Sequence, residues 1–434
     1  MPGADTSADV LVLGAGMSGL AAAARLAQAG LAVRVLEARD RIGGRVHSVR
    51  GARWPVPIEL GAEFIQGQIP QLLKLAQAAG LPVVELDGTR LTVRNGQFTR
   101  GHDFVERLDE SLAKAFAAVG SIDDRSVSQL LDLLPADQVE VGRTWIEGYD
   151  AADTRRFSVQ ALQREREAEH RIHGTRTFRV TAGYDGVVAA VCAQMPPDRG
   201  HVHFETVATE VHWEPGAVSV ETRGGETFHA ARLVSALPLG VLQAQPSEAG
   251  ALHFTPSIED KQAALRGLEM GHVVKLVFAF KERFWQDAFA DEMGYLATPG
   301  EPFKGFWTAY PIYAPVLVAW AGGPPADALS SLSLAQRADR ALETLSSALG
   351  IPRGAVDGQV AAWESHDWGA DPFARGAYSF VRVNGIAAQR ELARPVDGTL
   401  FFAGEATELE GYQATVHGAL FAGQRAADEV LGTL

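Results

Sequence analysis

Cysteine is almost missing from this chain. Of 434 residues only Cys192 is one, so no intrachain disulfide can form, and its setting in VVAAVCAQM reads as a small buried hydrophobe rather than a catalytic thiol. No run reaches about 18 consecutive apolar residues, so no membrane-spanning helix is expected. The opening stretch MPGADTSADV has neither a basic segment nor an apolar core, so no secretion signal is expected and a cytoplasmic setting is. An excess of positive charge is lacking too. Against 53 Asp and Glu stand 39 Lys and Arg, a net charge of −14, which argues against nucleic acid as a partner. The 12 histidines are scattered without HExxH spacing, so no metal site is expected. GxSxG elbows, kinase signatures, internal repeats, low-complexity linkers and long heptad arrays do not occur either. What is left is an ordinary globular composition, 47% hydrophobic and 21% charged, in a chain long enough for more than one domain.

The most informative stretch runs from Val10 to Val46. An apolar strand, Val10-Leu11-Val12-Leu13, leads into Gly14-Ala15-Gly16-Met17-Ser18-Gly19 and then a helix-forming run to Gln28. Glycines at 14, 16 and 19 allow a tight turn, a close approach of backbone to a pyrophosphate, and close packing of helix on strand. The helix that follows aims free N–H groups and the positive end of its dipole at that phosphate. A second strand, Ala32 to Leu36, ends on Glu37, where a carboxylate can accept hydrogen bonds from a ribose diol. Strand, helix and acid together predict a dinucleotide site.

Other stretches invite chemistry but admit plainer readings. Lys275 is a lone cation in the apolar strand Val273–Phe280, so it must snorkel, pair or meet water. His366 to Phe380 is rich in aromatics that could be core or cage, with Trp368 and Tyr378 among them. Near the end, Leu400–Phe402, Gly404 and a helix from about Thr415 to Leu431 form a second strand–turn–helix that can present a dipole to an anion. His417 reads as a surface or packed histidine. The charge-dense run Gln160–Arg176 reads as a solvated helix. Helices are also expected over 70–80, 103–119, 126–134, 136–147, 186–194 and 334–349, and strands over 202–212, 217–222, 226–237 and 316–320.

Several of these stretches together resemble the flavin-containing amine oxidase family, which includes monoamine and polyamine oxidases and histone demethylases. The resemblance rests on GAGMSGL with Arg39-Asp40-Arg41-Ile42-Gly43-Gly44-Arg45, on ELGAEFIQG, on Lys275, on Trp368-Gly369-Ala370-Asp371-Pro372 with Gly376-Ala377-Tyr378-Ser379, and on Phe402-Ala403-Gly404-Glu405-Ala406-Thr407 with Ala414-Thr415-Val416-His417-Gly418-Ala419. It is nearest the polyamine oxidase-like branch.

The resemblance implies an α/β fold, with a Rossmann-like FAD-binding domain (1–70, 177–250 and 366–434) interleaved with an α+β substrate-binding domain (71–176 and 251–365). It implies FAD along Gly14, Gly16, Ser18, Gly19, Glu37, Ala38, Arg39, Gly43, Gly44, Arg45, Gly61, Ala62, Glu63, Phe64, Val207, Gly404, Glu405, Ala414, Thr415 and Val416. Catalytic roles fall to Lys275, Trp368, Tyr378 and Thr415. Lys275 corresponds to a lysine holding a water near flavin N5, and Tyr378 to a wall of the substrate site. Ala377 stands where covalent members have Cys, so FAD should bind noncovalently. The implied reaction is oxidation of an amine with O₂ as acceptor, giving H₂O₂. Neither a nucleic acid nor a membrane partner is expected, and a homodimer is left open.

Two departures stand out. Thr415 occupies the place of a second cage tyrosine, and Gln66 replaces the acid or His of several polyamine oxidases, so a charge for a second ammonium must come from Glu63 or another acid. An amino-acid oxidase, with Arg90 or Arg94 binding a carboxylate, a desaturase, or a flavin-binding interaction protein would use the same scaffold.

Overall fold

The computed structural model describes residues 6–94, 97–100, 102–119, 123–289 and 292–434, with the backbone alone at 94, 102–106 and 119. At its centre, strands Val10–Leu13 and Val33–Leu36 lie side by side and parallel, Val10 opposite Val33. They are joined by strands Gly200–His203, Arg232–Ser235 and Leu400–Phe402 in the order 200–203, 33–36, 10–13, 232–235, 400–402. The two central strands are buried along their whole length, as an apolar, non-alternating sequence requires of a parallel sheet covered on both faces. Helix Met17–Gln28 covers one face and is itself covered by the last helix, Val416–Leu431. Gly423 makes that packing close, because a Cβ there would stand 2.1 Å from Ser18 O.

The other face rests on an antiparallel sheet, Ala208–Glu214, Ala217–Thr222 and Thr227–Ala230, with His253–Thr255 added parallel at its edge. Each of two runs that read as a single strand is in fact divided between the two sheets. Gly200–His203 belongs to the parallel sheet and Ala208–Glu214 to the antiparallel one. They are separated by a turn in which Glu205 has φ 53° and the Thr206 hydroxyl donates to Phe204 O at 2.8 Å. Thr227–Ala230 and Arg232–Ser235 divide in the same way. Continuous apolar alternation hid both breaks.

A seven-stranded sheet carries the rest, in the order 360–364, 273–280, 316–322, 305–308, 293–297, 89–94, 97–100. Period-2 alternation sorts strand Val273–Phe280. Val274, Leu276, Phe278 and Phe280 pack under helix Leu334–Leu349, whereas Val277 and Ala279 face Trp307, Ile58 and Leu60. Lys275 shares the second face. Helices His102–Val119, Val127–Leu131, Ala136–Asp150 and Val159–Arg171 form a separate apolar cluster. Two elements cross the domain limits read from the sequence. Leu72 and Ala76 pack into the core of the parallel sheet, and His253–Thr255 pairs with Ala208–Glu214. No helix among the described residues is long and apolar enough to cross a membrane.

Candidate active site

The turn after Val10–Leu13 does what its glycines allow. Gly14 has φ 93°, and a Cβ on Gly19 would lie 1.9 Å from Gly14 O, so only glycine lets the helix start this close to the strand. Helix Met17–Gln28 has no side-chain cap and no acid in its first turn, and a Cβ on Gly16 would meet nothing within 4 Å. An uncapped positive helix end thus faces open space, which fits a pyrophosphate. Gly43, at φ 100°, donates its N–H to Ala15 O at 2.9 Å, and a Cβ on Gly44 would stand 3.5 Å from Gly16 Cα. The second glycine pair therefore walls the same cleft. Ser18 points elsewhere, its Oγ accepting the Gly404 N–H at 2.7 Å. That bond fastens the first turn to the last.

Glu37 is buried at the end of its strand and accepts the N–H of Ala15 at 2.7 Å and of Arg39 at 2.9 Å. Beside it an open hollow of about 670 Å³ is lined by Ala38, Arg39, Glu205, Val207, Arg223 and Phe373. Arg39 donates to Asp371 at 2.8 Å and lies over the Phe373 ring. Asp371 also faces His366 Nε2 at 2.7 Å. Although burial works against its charge, hydrogen bonds from His366 and Arg39 hold this carboxyl well below the usual range. Arg45 donates to Ala377 O at 2.8 Å and to Glu405 at 2.9 Å. Glu405 in turn accepts the Ser379 hydroxyl at 2.7 Å and the Ala414 N–H at 3.1 Å. First and last motifs are thus tied through named side chains.

Lys275, 3% exposed, donates to Gly61 O at 3.0 Å and to Glu63 at 2.7 Å, and lies 5.7 Å from the centre of the Trp307 ring. Of the readings open to a buried lysine, this one is pairing. Glu63 also accepts from Arg179 at 2.7 Å and from Trp307 Nε1 at 3.0 Å. Burial would raise the Glu63 carboxyl, but the two cations outweigh it and hold it below its ordinary value. Phe64 flanks the group, under the Arg179 guanidinium and 5.6 Å from Trp307. A Cβ on Gly61 would fall 1.9 Å from Arg45 O, and Ala62 donates its N–H to the same oxygen at 3.1 Å.

Trp368 is buried, its Nε1 donating to Leu60 O at 2.9 Å. Tyr378 donates to Tyr149 O at 2.7 Å, and burial pushes its hydroxyl pKa up. Thr415 caps helix Val416–Leu431: its Oγ accepts the Gly418 N–H at 2.9 Å and donates to Tyr412 O at 2.6 Å. His417 is packed between Tyr412 and Phe421, and burial lowers its pKa to about 3.

The charge-dense helix is not simply solvated. Arg164 donates to Leu409 O, Arg171 to Glu410 O, and Glu165 accepts from Gln413. Its polar face is turned onto the loop before the last helix. The sequence reading missed Arg179, Trp307 and Arg223. Arg179, in the strand TFRV, carries the same signal as Lys275, a cation among apolar residues. Arg90 lies on the strand paired with Met293–Ala297, and the Arg94 side chain lies outside the described residues.

The flavin containing amine oxidoreductase family matches residues 17–136 and 94–431. The chain belongs to this family. Among relatives of the same family, "Lysine-specific histone demethylase 1 homolog 2" of Oryza sativa subsp. japonica is 30% identical over 98% of this chain and 57% of its own length. "Polyamine oxidase 3" of the same plant is 29% identical over 96% of this chain and 88% of its own. The chain therefore spans little more than half of the first relative and most of the second. A solved structure of putrescine oxidase bound to putrescine has the same fold, with a TM-score of 0.82 at 22% identity over 98% of this chain and 99% of that one.

Proposed function

We propose that the protein binds FAD noncovalently and oxidises an amine, with O₂ as the final acceptor and H₂O₂ as product. The observation that carries this reading is the combination of an uncapped, glycine-lined helix end with a buried, acid-paired lysine in the seven-stranded sheet. Gly14, Gly16, Gly19, Gly43 and Gly44 would hold the pyrophosphate, and Glu37 with the hollow at Arg39 and Val207 the adenosine. Ala377, which has no nucleophile, supports noncovalent binding.

When bound, FAD supplies the acceptor for hydride from the amine's α-carbon and returns the electrons to O₂. The chain's own part is to position reactants and keep water out. Gly61 O and Glu63 use two of the three Lys275 N–H donors, leaving one for a water or an oxygen species in the site. Tyr378 is anchored through its hydroxyl, so its ring can serve as a fixed wall that draws the amine nitrogen. Thr415 holds the first turn of the last helix in place.

Purified protein reconstituted with FAD should be yellow, bleach anaerobically with an amine, and release peroxide when air is admitted. Protein that takes up no FAD, or FAD-loaded protein that no amine bleaches, would overturn the reading.

A further inference from the structure

Histidine spacing along the chain gives no sign of a metal site, but spacing has no view across neighbouring strands. On the outer face of the antiparallel sheet three donors converge from strands Ala208–Glu214 and Ala217–Thr222. Period-2 alternation turns Val211, Val218 and Val220 into the core against the parallel sheet and leaves Glu210, His212 and Glu221 on the opposite face. A bulge between Ala208 and Glu210 shifts the register, so that Glu210 stands directly opposite Glu221. His212, opposite Ser219, is then diagonal to Glu221. Like charges directly opposite each other destabilise a strand pair, and a cation placed between them removes the repulsion.

The geometry suits a metal ion better than a hydrogen-bonded histidine. His212 Nε2 stands 3.3 Å from Glu221 Oε1 and 3.6 Å from Glu210 Oε1, beyond the roughly 2.7–2.9 Å of a charge-assisted hydrogen bond. One nitrogen thus faces both acids, and all three ligand atoms lie within 4.8 Å of one another. A tetrahedral ion with arms of about 2.0–2.1 Å to nitrogen and oxygen sets its ligands roughly 3.3 Å apart. The His212–Glu221 separation is that edge. The side chains are 35% to 53% exposed, so they can close the remaining gaps and an ion can reach them from solvent. Glu210 Oε1 also accepts the Thr255 hydroxyl at 2.8 Å, the kind of outer hydrogen bond that orients a ligating carboxylate.

We propose that Glu210, His212 and Glu221 bind one divalent ion of the zinc class, with water completing its shell. An imidazole with two carboxylates favours such an ion over magnesium and calcium, which prefer oxygen throughout. The ion cancels the cross-strand repulsion and pins the two strands together. At one end these strands lead to Val207 and Arg223, which line the hollow beside Glu37. The site shares no side chain with the glycine-lined cleft and stands whether or not the amine-oxidising reading does.

The test is calorimetric titration of the full chain as purified, stripped with EDTA and dialysed free of it, with Zn²⁺ and separately with Mg²⁺. One zinc per chain should bind with micromolar or tighter affinity and raise the melting temperature, while magnesium at the same concentrations should do neither. Thr255→Val, which frees the Glu210 carboxylate, should weaken zinc binding by about 10-fold, and His212→Ala and Glu221→Gln by more. One equivalent of Cu²⁺ should show nitrogen splitting in its electron paramagnetic resonance spectrum that is lost in His212→Ala. All three ligands lie outside the core, and melting without metal checks that each variant folds. Zinc that binds no better than magnesium, or zinc affinity that is unchanged in His212→Ala and Glu221→Gln, would overturn the site.

Discussion

Lys275 Nζ and Glu63 Oε2 stand 2.7 Å apart, although Lys275 lies in the seven-stranded sheet, Glu63 in the loop just before strand Phe64–Gln66, and the two are more than 200 positions apart in the chain. Glu63 serves two cations, Lys275 and Arg179, so the buried group carries one positive charge in excess. In the proposed reaction such a charge would favour whatever negative charge develops beside it as O₂ is reduced.

Replacing Lys275 by Met keeps the length and flexibility of the side chain and leaves Glu63 paired with Arg179. Lys275→Met should fold, take up FAD and slow flavin turnover by orders of magnitude in rapid-mixing experiments. Near-normal turnover would remove Lys275 from the chemistry. Glu63→Gln, in contrast, leaves two buried cations uncompensated and should cost about 3 kcal/mol in urea unfolding.

The Gly19 position leaves no room for a side chain, since its Cβ would lie 1.9 Å from Gly14 O. Gly19→Ala must push helix from strand and spoil the phosphate cradle. The variant should purify with little or no flavin absorbance relative to protein, and full FAD occupancy would show that the turn tolerates the shift.

His417 gives the protein an acid-sensitive core. Its folded pKa, about 3, lies below the ordinary 6.5, so the unfolded chain binds a proton that the folded one does not throughout the interval between. The stability from keeping this ring neutral is therefore complete above pH 6.5 and is lost as pH falls toward 3, at about 1.4 kcal/mol per pH unit. His47, lowered by burial to about 4, adds to the same trend. Unfolding followed from pH 6.5 to 4.5 should show a slope shallower by about one proton in His417→Phe. An unchanged slope would mean that the ring titrates normally.

The resemblance places Thr415 where the monoamine oxidase branch has a second tyrosine, and its side chain caps a helix. Thr415→Ala should lower stability by about 1 kcal/mol and Thr415→Ser by much less. If Thr415 acts only as a cap, both variants should keep the wild-type rate of flavin reduction once FAD is bound, as measured by anaerobic mixing.

Much of this arrangement is local and can be read along the chain. Gly14, Gly16 and Gly19 between an apolar strand and a helix define their turn by backbone sterics alone, and helix Leu334–Leu349 falls within the limits its periodicity predicts. Strand Val273–Phe280 does too. Lys275 could be marked as an anomaly, because an ammonium in an apolar strand needs a partner wherever it lies.

The identity of that partner was not in the local pattern. Glu63 and Arg179 meet Lys275 only because a loop and two strands from distant segments converge, and a one-dimensional periodicity has no term for such contacts. The same limit hid the breaks at Glu205 and Ala231, where the apolar alternation runs on unbroken while the backbone passes from one sheet to another. It also made the 160–171 region look solvated: its charges suit water as well as they suit the carbonyls of Leu409 and Glu410, and only the packing of that helix on the closing loop chose between them. Sequence alone determined the elements and the phosphate turn, through steric and hydrophobic rules that act over a few residues. Tertiary structure decided which buried charges neutralise one another and which remain open to a ligand, because electrostatic pairing depends on distance in space.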